Sequence, residues 1–267
     1  MNNKFIQYLK YKNLSNNTIS AYLYTINLFN KIYKKINKNN VLAFKSFLME
    51  KYKPKTVNLR IQAINKYLKF YGKTELQLTA IKIQQKPFLE NVISDADYKF
   101  FKNSLKKENN IEWYFVVRFL CATGARISEL IQIKVEHIYL GYLDLYSKGG
   151  KTRRIYIPNK LKKETLAWLE NINRKSGYMF LNNKKRRIST RGISIQLKKL
   201  AIKYGINPEV VYPHSFRHRF AKNFIEKYND ISLLADLMGH DSIETTRIYL
   251  RKTSTEQRQI VDKIVTW

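Results

Sequence analysis

Apolar residues recur at helical spacing through the first 82 residues of the chain. Intervals of three and four residues place such side chains on one face of a helix. Ser15 is a suitable N-cap for the second segment, Pro54 and Thr56 begin the last, and Gly72 ends it. The stripes are Phe5, Tyr8 and Leu9; Ile19, Tyr22, Leu23, Ile26 and Phe29; Val41, Phe44, Phe47 and Leu48; and Val57, Ile61, Ile64 and Leu68. The pattern predicts an N-terminal bundle of four helices over residues 1–82.

Residues 83–92 show no clear period and contain Pro87, so we interpret them as a linker between two domains. Beyond the linker, Ser94 and Asp97 form a capping-box-like helix start. Helical patterning then dominates to the end of the chain. The second domain, residues 93–267, is therefore predicted to be mainly helical.

One part of the second domain departs from helical spacing. Between Ile133 and Pro158 the apolar period becomes two, which is typical of strands. The alternating residues are Leu143 and Leu145 before the Ser-Lys-Gly-Gly segment at 147–150, and Ile155 and Ile157 after it. This predicts a β-hairpin with a glycine turn. The expected fold is mostly α: a four-helix bundle and a mainly helical α+β domain with a small antiparallel sheet.

The net charge of the chain indicates what kind of molecule it binds. The 267 residues carry 50 Lys+Arg and 20 Asp+Glu, a formal net charge of +30. Residues 1–82 hold sixteen Lys+Arg and only two acids, which is about twice the charge per residue of the remainder. Arg60 is the one arginine of that segment. Lysine suits a diffuse grip on phosphates and arginine suits fixed bidentate contacts. We therefore expect the first domain to grip a polyanion and the second to hold the reactive site.

Several classes of protein are excluded by composition. A single cysteine, Cys121, allows neither an internal disulfide nor a Cys-based zinc site. The sequence has no run of about 18 apolar residues, so a membrane span is not expected. Residues 1–10 lack the apolar core and cleavage site of a secretory signal. We expect a cytoplasmic protein.

Two polar stretches lie in the first half of the second domain. In the segment 122–130, Arg126 and Glu129 are three residues apart, so they share a helical face. At the predicted hairpin tip, Lys148 is followed by two glycines, Gly149 and Gly150. The plain alternatives are a surface ion pair and a solvated lysine.

Two further stretches follow near the carboxyl end. His214 and Arg217 share a helical face within 214–220. In 237–249, Gly239 ends one helix, His240 follows it, and Tyr249 lies about two turns into the next. A lone histidine or tyrosine is more often structural than catalytic. Three of the four histidines of the chain, however, lie in these two stretches beside arginines.

Together these side chains suit chemistry on a phosphodiester. Arg126 and Arg217 can clamp its non-bridging oxygens, so no metal or cofactor is needed to stabilise the charge. Tyr249 can be the nucleophile, because a phenolate can displace an alkoxide and conserve the bond energy in a covalent link. Lys148 can protonate the leaving 5′ oxygen. His214 and His240 are both candidates for the base, or for further donors to the phosphate.

The four stretches resemble the tyrosine recombinase (phage integrase) family, of the short Xer-like or mobile-element type. The similar motifs are ATGARISEL, SKGGK, HSFRH and LMGHDSIETTRIYL, and LSNNTISAYL and KTVNLRIQAI in the first domain resemble the core-binding domain. Phe216 stands where the family commonly has Leu, a packing change. Arg219 stands where a small residue is usual, and we expect it to add a phosphate contact.

The resemblance implies a site-specific recombinase of duplex DNA. Tyr249 would form a 3′-phosphotyrosyl bond. The residues that complete the site would be Arg126, Lys148, His214, Arg217 and His240, with Glu129 in support. Strand exchange would proceed in a homo-tetramer, with accessory DNA-bending or directionality proteins as further partners, at the nucleoid. No separate arm-binding module is expected before residue 15.

The end of the chain, residues 254–267, is predicted to be a helix capped by Ser254 and Gln257. It carries apolar residues that need a partner surface. We expect it to dock on a neighbouring protomer, and docking on its own domain is the alternative.

Two other functions use the same features. A DNA-binding regulator could keep the fold without cutting, although the intact catalytic set argues against it. An enzyme similar to type IB topoisomerases would cleave a strand without synapsis, and the tail and the small N-terminal bundle favour the recombinase.

Overall fold

In a computed structural model, the chain folds into two units, Met1–Gln85 and Lys86–Trp267. The residues that the structure describes are 2–83, 91–146, 152–240, 242–250 and 254–265. No helix within these ranges is long and apolar enough to cross a membrane. Each unit has its own apolar core.

The first unit is the predicted bundle of four helices. They are α1 (Asn2–Tyr11), α2 (Asn16–Ile32), α3 (Lys38–Lys51) and α4 (Pro54–Phe70). Ser15 caps α2, because its side chain accepts a hydrogen bond from the Thr18 amide at 3.2 Å. Phe5, Phe29 and Phe44 are buried in the core. Burial of each such ring stabilises the bundle by about 1.5–3 kcal/mol.

The chain continues to pack on the bundle after α4 ends. Gly72 turns it with a φ of +69°, a left-handed conformation that suits glycine. The side-chain amide of Asn65 then pairs with both the amide and the carbonyl of Leu78, each at 2.8 Å. Asn58 does the same with Ile81, each at 2.9 Å. The two asparagine side chains thus pair with the backbone as a neighbouring β-strand would, and they hold residues 78–81 against α4.

The second unit is mainly helical, as predicted. Its helices are α5 (Asp95–Lys107), α6 (Ile111–Thr123), α7 (Ile127–Leu130), α8 (Val135–Leu140), α9 (Asn159–Asn171), α10 (Thr190–Lys203), α11 (Pro213–Tyr228), α12 (Ile231–Met238), α13 (Ile243–Arg247) and α14 (Ser254–Ile264), and its strands are β1 (Tyr142–Tyr146) and β2 (Thr152–Tyr156). Helix α6 is apolar on most of its faces and lies against α5, α9 and α11. Phe216 of α11 is fully buried in this core, as the packing change predicts.

The two strands pair antiparallel, with Leu143 opposite Ile155. The strand pattern predicted from Ile133 onward is wrong at its start. Val135 and Ile138 are three residues apart and both fully buried, so this part forms α8. The turn at 147–151, with Lys148, lies outside the described residues.

Arg219 does not provide the phosphate contact that its position suggested. It is 7% exposed, pairs with Asp95 and lies 5.0 Å from the centre of the Tyr98 ring. Its Nη1 donates to the carbonyl of Ile93 at 3.3 Å, and the amide of Ile93 donates to Ser215 Oγ at 2.8 Å. Two side chains of α11 therefore fasten the start of the second unit.

Candidate active site

The predicted site residues of the second unit come from four separate elements. Arg126 directly precedes α7, and Glu129 is the third residue of that helix. Arg217 lies in the second turn of α11. His240 follows the end of α12, and Tyr249 lies in a 3₁₀ turn after α13.

Glu129 braces Arg126, as their spacing predicts. The carboxylate accepts from Nη1 of Arg126 at 2.8 Å and from its backbone amide at 2.6 Å. Glu129 is 8% exposed, whereas the side chain of Arg126 is 36% exposed. The acid therefore holds the guanidinium from beneath and leaves part of it open to solvent.

The carboxyl end of α12 gathers three arginines. Its last carbonyls lack partners within the helix and carry partial negative charge. Arg153 donates to the carbonyl of Leu237 at 2.9 and 3.2 Å. Arg217 and Arg126 donate to the next two carbonyls, those of Met238 and Gly239, at 2.6 and 2.8 Å. Because each arginine binds a fixed backbone atom, three positive side chains are held close together.

Of the predicted catalytic residues that the structure describes, Arg217 is the most enclosed. It is 4% exposed, and its Nη1 also donates to the carbonyl of Gly124 at 2.6 Å. Burial and the charges of Arg126 and Arg153 lower the pKa of Arg217 to about 10. The group remains a cation at neutral pH, and its surroundings favour the approach of an anion.

The hydrogen bonds of His240 fix its protonation. Its Nε2 lies 3.0 Å from Nη2 of Arg217, and its Nδ1 lies 2.8 Å from Oγ1 of Thr246. A guanidinium only donates, so Nε2 accepts and the proton sits on Nδ1, where it can donate to Thr246. His240 is therefore neutral in this arrangement and supports Arg217.

Tyr249 is 5% exposed and packs against His240 and His218. The ring of His240 is stacked on it at 6.0 Å between centres, and that of His218 is at 5.2 Å. Burial raises the pKa of Tyr249, and the charges of Arg217 and Arg126 oppose that rise. The phenol is thus protonated at neutral pH beside two cations that would stabilise a phenolate.

The local backbone at Tyr249 differs from the prediction. Ser242 caps α13 as expected, with its Oγ accepting from the Glu244 amide at 3.2 Å. The α-helix ends at Arg247, and the chain tightens into a 3₁₀ turn over Ile248–Leu250. Tyr249 therefore lies in this turn and not within the α-helix.

His214 lies at the edge of the group. It is exposed near the start of α11, with its ring 6.4 Å from that of His218. Partial desolvation of its ring by the surrounding protein is the largest effect on the pKa of His214 and lowers it, and the charges of Arg217 and Arg126 lower it further. For the more enclosed His218 the same kind of effects lower the pKa to about 4. Both imidazoles are neutral at pH 7.

Sequence reasoning missed Arg153. Its Nη1 lies 2.5 Å from each oxygen of Glu129, so the acid serves two arginines. One signal could have found it. On the strand, Arg153 shares a face with Ile155, and Ile157 continues that buried face, so the alternation alone places this charged residue at an inward-pointing position.

Arg126, Glu129, Arg153 and His240 line an open cleft of about 1050 Å³, whereas Arg217 and Tyr249 are not among its lining residues. No three His, Cys, Asp or Glu side chains of the described residues cluster as a metal site would require. The arrangement offers fixed positive donors next to a buried phenol. Such a site can bind a phosphodiester and stabilise the charge of its transition state.

Comparison with known proteins agrees with this chemistry. The sequence model of the Phage integrase family matches residues 92–256, and that of the phage integrase N-terminal SAM-like domain matches residues 3–73. Tyrosine recombinase XerA of Pyrococcus furiosus is 31% identical over 97% of this chain and 92% of its own length. The TnP I resolvase of Bacillus thuringiensis is 28% identical over 98% and 97%. The Tn1549 transposon integrase in complex with circular intermediate DNA shares the fold, with a TM-score of 0.73 and 16% identity over 97% of each chain.

Proposed function

This chain belongs to the phage integrase family and is a tyrosine-type site-specific recombinase that cleaves and rejoins DNA, and we propose that Tyr249 is its nucleophile. The phenolate oxygen attacks the phosphorus, a 3′-phosphotyrosyl bond forms, and the bond to the 5′ oxygen breaks. That oxygen leaves with a proton as a hydroxyl. Attack by a 5′ hydroxyl of another strand reverses the step. The energy of the phosphodiester is conserved in the covalent link.

One observation carries this proposal: the buried phenol of Tyr249 lies within the group formed by Arg217, Arg126 and His240. Arg126 and Arg217 would bind the non-bridging oxygens of the phosphate, where negative charge develops. Glu129 would keep Arg126 in place, and His240 would do the same for Arg217.

The proton of Tyr249 needs an acceptor, because burial raises the pKa of the phenol. Both ring nitrogens of His240 are engaged, with Arg217 and Thr246. His214 is neutral at pH 7 and open to solvent. We therefore favour His214 as the base and His240 as a support. Lys148 is proposed as the general acid for the 5′ oxygen, on the resemblance alone.

Residues 1–82 are proposed to grip the duplex and residues 93–267 to cut it, joined by the linker 83–92. Arg60 supports the grip. Its guanidinium carbon lies 4.2 Å from the ring centre of Tyr52 and 4.8 Å from that of Tyr24. Among the described residues, no carboxylate pairs with it. Stacking of this kind holds the planar fork ready for a phosphate or a base edge.

Assembly into a tetramer is proposed to use the last helix. Helix α14 exposes Val261 and Ile264, at 55% and 60% of their surface, and Val265, which follows the end of the helix, is 45% exposed. The side chain of Ser254, the predicted cap of this helix, lies outside the described side chains. We propose that this apolar face docks on a neighbouring protomer when four protomers hold two duplexes at the nucleoid, with accessory proteins that bend the DNA or set the direction.

A nicked suicide duplex tests the nucleophile. Duplexes that bind the protein are selected from a randomised pool, nicked near the scissile bond, and incubated with the full chain. We expect a covalent adduct that mass spectrometry places on Tyr249. The adduct should be absent in Tyr249→Phe and unchanged in the control Tyr228→Phe, whose side chain is 65% exposed. An adduct formed by Tyr249→Phe would refute the assignment.

A further inference from the structure

Two neighbouring arginines of β2 face opposite ways. The side chain of Arg153 is 11% exposed and lies on the buried face with Ile155. Arg154 is 43% exposed and pairs with Asp144 on the other face, at 2.7 Å. An arginine on the apolar face of a hairpin needs a structural or functional reason, because burial of an unpaired charge is costly.

The fork of Arg153 joins three elements. Nη1 binds the carboxylate of Glu129 in α7, while Nε and Nη2 bind the carbonyl of Leu237 at the end of α12. A lysine could supply the charge but not these parallel contacts. Arg153 thus fixes the hairpin strand to both the brace of Arg126 and the helix end that precedes His240.

The backbone is shaped to admit this side chain. A Cβ atom at residue 239 would lie 2.2 Å from Cδ of Arg153 and 2.8 Å from its Nε. Gly239 therefore leaves a passage that the arginine fills. The side chain of Arg153 occupies space that any residue other than glycine at position 239 would fill, which a chance surface contact would not require.

The charge on Glu129 depends on this contact. Burial alone would raise the pKa of Glu129, but the charge of Arg153 and the hydrogen bonds from Arg126 hold it below its usual range. Among the described residues, the charged groups that contact the carboxylate are Arg126 beside α7 and Arg153 from β2, and Arg217 of α11 interacts with it electrostatically. If Arg153 is lost, Arg126 is the main group that still lowers the pKa of Glu129 against the effect of burial.

We propose that Arg153 is a positioning residue for strand cleavage: it fixes the Glu129 carboxylate beneath Arg126 and holds the end of α12 against both. The inference rests on the proposed function, in which Arg126 binds the scissile phosphate. Arg153 acts through Glu129 and the helix end, and the phosphate is left to Arg126 and Arg217. A shift of about 1 Å in such a group can lower a rate by about 10²-fold.

The test compares Arg153→Met with Arg154→Met, which removes the same charge from the adjacent position of the strand. Single-turnover rates of adduct formation on the selected suicide duplex are measured with the full chain between about pH 8 and about pH 5. We expect Arg153→Met to be slower than the wild type by about 10²-fold at neutral pH. Arg154→Met should stay within about threefold of the wild type.

The pH profile separates positioning from a general loss of structure. In Arg153→Met the pKa of Glu129 is raised, so Glu129 takes up a proton as the pH falls and ceases to brace Arg126. As the pH is lowered, the ratio of the variant rate to the wild-type rate should therefore decrease, by up to about tenfold for each pH unit. Adding Glu129→Gln removes the titrating group and should make this ratio flat. A ratio that is flat in Arg153→Met itself would overturn the proposal.

Two further measurements test the proposal if Arg153→Met does not fold or if the wild type forms no adduct. Arg153→Lys keeps the charge, so its profile should run parallel to that of the wild type at a rate about tenfold lower, and a wild-type rate would contradict the role of the fork. Carbon-13 NMR of the Glu129 carboxyl needs no DNA. Its pKa should rise in Arg153→Met and not in Arg154→Met. If the wild type formed no adduct, the proposed function would fail while this titration still decided the role of Arg153.

Discussion

Replacing Gly239 by alanine puts a methyl group where the side chain of Arg153 already lies. The new Cβ would meet Cδ of Arg153 at 2.2 Å, and the residue would keep a φ of +60°. Gly205 offers a matched control. It lies in the same unit with a φ of +68°, and nothing comes within 4 Å of a Cβ placed there.

The expected magnitudes follow from these two environments. A left-handed conformation costs alanine about 1–2 kcal/mol at either position. At residue 239 the methyl group also displaces Arg153 from the carbonyl of Leu237, and the loss of such a charged hydrogen bond costs about 1.5–3 kcal/mol more. Gly239→Ala should therefore lower the free energy of unfolding by about 2.5–5 kcal/mol, and Gly205→Ala by about 1–2 kcal/mol.

Urea unfolding followed by tryptophan fluorescence measures the difference. The three tryptophans, Trp113, Trp168 and Trp267, all belong to the second unit, so the signal reports on that unit. In an Arg153→Ala background the extra cost of Gly239→Ala should disappear. Equal losses for the two glycine variants, or an extra cost that persists without Arg153, would refute the steric argument.

Three other changes test separate parts of the molecule. Arg126→Ala should slow adduct formation by about 10³-fold or more, because a cation that binds the transferred phosphate is lost, while gel-shift affinity for the duplex changes far less. Arg60→Ala should weaken binding and reduce the slope of log affinity against log salt by about one, and an unchanged slope would place Arg60 outside the interface. Asn65→Ala should cost about 1–3 kcal/mol locally, seen as faster hydrogen exchange at the Leu78 amide, and unchanged exchange would deny the role of the side-chain amide.

Apart from α8, which was predicted as strand, the helices of both units could be predicted because their apolar spacing records which side chains are buried. The pairing of Arg126 with Glu129 was also predictable from their spacing of three residues, although it forms as a capping box: Arg126 is the extended residue before α7, and Glu129 accepts from its backbone amide and its side chain. Ser15 and Ser94 were predictable caps for a similar reason, as a cap acts within one turn. In each case the information is local in the chain.

What could not be predicted depends on elements that meet through the fold. Arg153 and Leu237 are 84 residues apart, and no periodicity shows that the hairpin reaches the end of α12. Gly239 was interpreted as a helix stop, whereas the structure adds a steric requirement from Arg153. The 3₁₀ turn at Tyr249 is also a tertiary effect, because the ring is drawn into a small apolar cluster with Leu234 and Met238.

The asparagine pairing beside α4 determines where the first unit can be divided from the rest. A fragment that ended at Gly72, where the last helix stops, would lose Leu78 from its core and leave the amides of Asn58 and Asn65 without their backbone partners. A fragment that continues through residue 83 keeps both. Dissection of the protein for separate study of its two halves should therefore place the cut beyond residue 83, as the predicted linker at 83–92 allows, and not at Gly72, just after α4 ends.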